Sequence, residues 1–226
     1  MLSTDSVWSR TEINPNDTLI SDRLYNLTIG AVLLWGFAVN YLIVQSLDPV
    51  WLTNTVPYWG ILVGYFVSVL AGVTIYSSSN NPLVSFFGYN LVVLPIGVIL
   101  TPFLYQFDAL LIQRALTATG GVTVAMMMLG GAFPRFFLSI GRTLGIALLL
   151  GILSQLVMMF FFRGSYNPNL FDWGFVVIFS GYIGFDWARA NALPKTFDNA
   201  VDSAASLYLD IINLFIRILS ILGRQR

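Results

Sequence analysis

Two aspartates stand inside apolar runs near the end of the chain, Asp186 in SGYIGFDWARA and Asp210 in ASLYLDIINLF. An ionisable side chain at a bilayer centre costs about 2.5 to 3.5 kcal/mol on insertion scales, so it faces a bundle interior or a wet cavity and takes a partner. Two carboxyls on neighbouring segments can hold a cation, share a proton or divide the work of acid and base. At an effective dielectric near 20, like charges about 4 Å apart repel by about 4 kcal/mol, so such a pair titrates as a unit. Asp210 belongs to a polar series, Ser203, Ser206, Asp210, Asn213, Arg217, Ser220 and Arg224, spaced by three and four residues as one face of a helix. Asn213 and Ser206 stand one turn to either side of Asp210 and could add oxygen ligands, and Arg189 is spaced to pair with Asp186 along one helix.

The elements that must position these residues are membrane spans. Of the 226 residues, 57% are hydrophobic and 10% charged, and the mean hydropathy is +0.77. At about 20 residues per span the length leaves almost no room for a soluble domain. The chain has no cysteine and no histidine, which removes thiol and imidazole catalysis, disulfides and the usual zinc and haem ligands. No cofactor is expected. The charge balance is zero, so nothing points to nucleic acid, and the expected surroundings are membrane lipids.

The apolar runs predict an all-α integral membrane protein of seven transmembrane helices. The spans are near Leu24–Leu47, Pro57–Ser77, Leu83–Leu104, Asp108–Gly131, Phe137–Phe162, Phe171–Leu193 and Asn199–Gly223. Residues 1–22 read as a polar cytoplasmic arm and residues 23–226 as the transmembrane domain. A kink is expected near Pro95. Gly60 with Gly64, Gly141 with Gly145, and the small residues from Thr117 to Thr123 read as close-packing positions. Met126 to Met128 and Met158-Met159 read as packing or lipid contacts rather than a copper site. Basic residues fall in alternate connectors. Arg10, Arg23, Arg135, Arg142, Arg189 and Lys195 lie on one side, against Arg114 and Arg163 on the other, which places the N-terminus in the cytoplasm. The last stretch is long enough for a full span, so a segment that dips in and returns is the less favoured reading.

The run SGYIGFDWARA followed by ASLYLDIINLFIRILSILG resembles the last two helices of the Bax inhibitor-1 family, the transmembrane BAX-inhibitor-motif proteins. DRLYNLT, NNPLVSFFGYN and ALTATGGVTVAMM extend the resemblance over nearly the whole chain. It implies six helices around a central seventh, and a pH-sensitive calcium leak or calcium/proton exchanger whose sensor is Asp186 with Asp210, holding calcium transiently. A bacterial inner membrane is the expected location. Phe185 and Trp187-Ala188 depart from the family motif around the sixth-helix acid, and the second span has no arginine to latch the acid pair. Arg189, Arg142 or Arg135 would have to replace it.

Two other functions fit the same residues. A non-conducting regulator would bind another membrane protein, such as a membrane protease or a death-pathway partner. An intramembrane aspartyl protease also needs two acids on adjacent helices, but its Gly-x-Gly-Asp and Pro-Ala-Leu signatures are missing, since Asp210 follows LYL. The expectation is therefore a protein that is not an enzyme.

Overall fold

A computed structural model of the chain describes residues 18–162 and 166–225. Most of the polar arm lies outside these residues, together with Arg10, Arg163 and Arg226. The described residues form helices α1 (Asp22–Ser46), α2 (Pro49–Thr55), α3 (Tyr58–Ser78), α4 (Pro82–Leu104), α5 (Ala109–Ala132), α6 (Pro134–Phe161), α7 (Pro168–Ala192) and α8 (Phe197–Arg224), with no strand among them.

Local chemistry sets the helix starts. Asp48 accepts hydrogen bonds from the Val50 and Trp51 amides, Asn81 from Leu83 and Asp108 from Leu111. Each satisfies N–H groups that the first turn leaves without partners. Pro49, Pro82 and Pro134 occupy first-turn positions, where the missing N–H costs nothing. The expected loop between the first two long helices is thus corrected to include a short helix, α2, capped by Asp48 and started by Pro49. Helix α4 continues through Pro95 and Pro102.

Six of the described helices are long and apolar enough to cross a membrane: α1, α3, α4, α5, α6 and α8. Helix α7 has the length, 25 residues, but carries Asp172, Asp186 and Arg189 among glycine, asparagine and aromatic residues, which lower its hydropathy. In the most apolar window of α6 no residue is buried, and Leu149, Leu153 and Phe160 are exposed there. An apolar surface of that extent suits a lipid environment. Helix α8 runs 28 residues without the break that a returning segment would need, and at 1.5 Å per residue that is about 42 Å.

The chain divides into two compact units. Of the described residues, one comprises 18–107 and 193–206; within it α4 packs on α1, α2 and α3. Gly72 and Gly88 bring α3 and α4 together, since a Cβ on Gly72 would lie 2.5 Å from the Gly88 carbonyl oxygen. The other comprises residues 108–192 and 207–226; within it α7 packs on α5 and α6. Here Gly130 of α5 meets the Gly184 backbone of α7, with 2.4 Å from a built Cβ to the oxygen.

The expected close-packing positions divide accordingly. Gly141 receives the Phe185 ring. Gly64, Gly120 and Gly121 have nothing within 4 Å of a built Cβ, and Gly60 meets only the connector residues Val56 and Pro57, so the close-packing reading of these four is corrected. Four-residue spacing marks a helix face and does not say whether another helix lies against it.

A candidate site: two buried carboxyls beside an arginine

The second unit contains the acid pair. Around Gly184 the α7 backbone is pressed against Gly130 on one side and the Phe137 ring of α6 on the other, while Phe185 fills the space over Gly141. These contacts fix how α7 is rotated, and Asp186 is left 4% exposed. Asp210 on α8 is 8% exposed. The two carboxyls lie within electrostatic reach of each other, and two like charges in a buried site do not both ionise cheaply. Arg189 Nη2 stands 3.2 Å from Asp186 Oδ1, one turn along α7, and its guanidinium lies 5.6 Å from the Phe185 ring centre. The Tyr182 hydroxyl lies within electrostatic reach of both acids.

Other expected participants are placed differently. Asn213 is half-buried and its amide nitrogen donates to the Leu209 carbonyl at 2.8 Å, so that nitrogen is held by its own helix rather than by Asp210. Ser206 is buried one turn before Asp210 on the same helix. Arg135 and Arg142 are exposed on α6, which leaves Arg189 as the arginine paired with Asp186. Among the described residues no three His, Cys, Asp or Glu side chains gather as a metal set. Calcium takes six to eight oxygens, more than the two carboxyls supply.

Two further polar clusters were not read from the sequence. In the second unit Asp172, 2% exposed, is held between Arg217 at 2.7 Å and Arg224 at 2.5 Å, one arginine on each carboxylate oxygen. Arg224 also donates to Asn169 at 3.0 Å, and Arg217 lies 4.2 Å from the Phe175 ring centre. The two arginines were visible as part of the polar series on the last helix, but their partner is an acid about one turn from a connector, where a solvated residue is the ordinary expectation.

In the first unit Ser85 donates to Asp198 at 2.7 Å. The Tyr25 hydroxyl meets Ser203 Oγ at 3.1 Å and the Asn199 carbonyl at 3.3 Å. Lys195 lies over the Tyr25 ring, and its carbonyl accepts from the Ile20 amide, so the end of the polar arm is tied to the α7–α8 connector. Burial lowers the Lys195 ammonium below the usual lysine range, with the Asp22 carboxylate acting against that. Asp198 and Asp202, both buried on α8, extend its polar face by two acids that the reading from Ser203 onward omitted.

The sequence profile described as Inhibitor of apoptosis-promoting Bax1 matches residues 18–226. The chain belongs to the Bax inhibitor-1 family. It is similar to Bax inhibitor 1 of Schizosaccharomyces pombe, with 33% identity over 170 residues, covering 73% of this chain and 62% of the yeast protein. The chain thus spans less than two thirds of that relative's length. A protein of Borreliella burgdorferi is 26% identical over 210 residues, 88% of this chain and 87% of its own. Protein LIFEGUARD 1 of Arabidopsis thaliana is 28% identical over 144 residues, 59% of this chain and 60% of its own. As a Bax inhibitor-1 family member with six strongly apolar helices, the chain is a multi-pass membrane protein.

Proposed function

We propose that this family member is a pH-controlled calcium leak, or calcium/proton exchanger, and not an enzyme, with Asp186 and Asp210 as sensor and transient ion ligands. The observation that carries the reading is the burial of two carboxyls from consecutive helices, within electrostatic reach of each other and beside a single arginine. With one proton between them, the acids and Arg189 form a neutral group. Loss of that proton leaves a net negative charge, which like-charge repulsion drives to recruit a cation. Protons and calcium therefore compete, and calcium gains as pH rises. Arg189 takes the place of a second-span arginine as the fixed counter-charge.

Helix α7 counts as the seventh span in this reading, because its acids are directed to a site rather than to lipid. The burial of α8, 56% of its apolar window and the largest share among the six candidate spans, supports its role as the central helix. The arginine and lysine distribution supports a cytoplasmic N-terminus.

The test is calcium uptake by liposomes of the purified protein from pH 5 to 8, for the parent, Asp186→Asn and Asp210→Asn. The parent should switch across this range, and each variant should lose the switch. A parent-like pH response in both variants would remove the sensor assignment. A folded parent that passes no calcium at any pH would favour a regulator that binds another membrane protein.

A further inference from the structure

The geometry points to a second gate on the same polar face of α8, formed by Asp172, Arg217 and Arg224, that closes the cation path beyond the acid pair. This rests on the leak reading. Arg217 lies seven residues beyond Asp210, about 10 Å along the axis and within about 20° of the same face. Of the polar face between them only Asn213 intervenes. A cation leaving the acids along this face in that direction meets a guanidinium.

The cluster is built as a clamp. Asp172 projects from α7 with its side chain 3% exposed, and each of its oxygens is taken by a different arginine of α8. The acid neutralises one of the two cations, so the group keeps a positive charge, and Arg217 and Arg224 retain 24% and 37% side-chain exposure. A positive group lining a route is a barrier to cations. The same ion pairs tie the first turns of α7 to the last turns of α8 in the second unit, at the other end of α7 from Asp186. Asn169 on Arg224 and the Phe175 ring beneath Arg217 hold both arginines in place. Opening requires the arginines to leave Asp172, which lowers the barrier and frees the two helix ends together.

Arg217→Gln is the informative variant, because glutamine can still donate a hydrogen bond to Asp172 and Arg224 still neutralises that acid. Asp172→Asn, which leaves two arginines facing each other, carries more risk of misfolding. In calcium-loaded liposomes at a pH where the parent is closed, Arg217→Gln should leak several-fold faster, and Arg217→Lys, which keeps the charge, should stay closed. In parallel, spin labels on Leu170→Cys and Gln225→Cys report the clamp without reference to flux. The parent should give one narrow distance distribution, and Arg217→Gln a broader one. Flux that responds to Asp210→Asn but not to Arg217→Gln overturns the gate and leaves the sensor standing. An unchanged distance distribution in Arg217→Gln overturns the clamp. A parent that passes no calcium at any pH overturns the leak reading and the gate with it.

Discussion

At the scale of single residues, the informative feature is how each buried charge is compensated. Asp186 has a cation one turn away and a second carboxyl on the next helix. Removing one partner of a buried pair is commonly worth about 3–5 kcal/mol, because it leaves the other uncompensated. Arg189→Gln is therefore expected to lower the melting temperature in detergent and to abolish closure at low pH, while Arg189→Lys keeps both near the parent. Equal leak in the two variants would mean that the charge of Arg189 is not its contribution. Lys195 offers a pH prediction outside the spans. Its lowered proton affinity means that the unfolded chain binds more protons than the folded one between the lowered value and the usual lysine value. Its contribution to stability is then full above the ordinary lysine range and is lost as pH falls through the lowered value. Lys195→Met should flatten the rise of thermal stability between neutral and alkaline pH, and a slope equal to the parent's would refute the assignment.

At the scale of helices, the acid site depends on a contact between backbones. Gly130 and Gly184 let α5 and α7 approach so closely that a methyl group has no room, since the nearest atom is a carbonyl oxygen that cannot rotate away. Gly130→Ala should cost about 1–3 kcal/mol through forced displacement of one helix and should also weaken the pH response, because the displaced helix carries Asp186. Gly120→Ala is the matched control on the same helix. Nothing lies within 4 Å of its built Cβ, and alanine favours helix over glycine by about 1 kcal/mol. Thermal unfolding in detergent should separate the two. Similar melting temperatures would show that the approach at Gly130 tolerates a side chain.

At the scale of the whole molecule, the test is orientation. In the proposed orientation the α7–α8 connector is cytoplasmic and the α4–α5 connector lies on the other side. The chain is free of cysteine, so single exposed cysteines at Ala192 and Tyr105 give an unmixed answer. An impermeant thiol reagent added outside intact cells should label Tyr105→Cys and spare Ala192→Cys. Labelling of Ala192→Cys from that side would invert the protein and move the acid pair to the opposite half of the membrane.

The sequence by itself determined the class, the order and near-boundaries of the long helices, and the two acids worth testing. Those properties are written locally. Hydrophobic runs of spanning length, cap residues such as Asp108 and prolines such as Pro82 act within a few positions of themselves. The pairing of Asp186 with Arg189 was also legible, because both stand on one helix. The tertiary structure decided everything that joins separate stretches. Asp172 found its arginines 45 and 52 residues away, and Asp198 its serine 113 residues away. It also selected Gly72, Gly88, Gly130 and Gly184 as close contacts over Gly60, Gly64, Gly120 and Gly121. Helical spacing states which residues share a face, but which neighbour that face meets is settled by packing between elements, and a buried charge has meaning only once that neighbour is known.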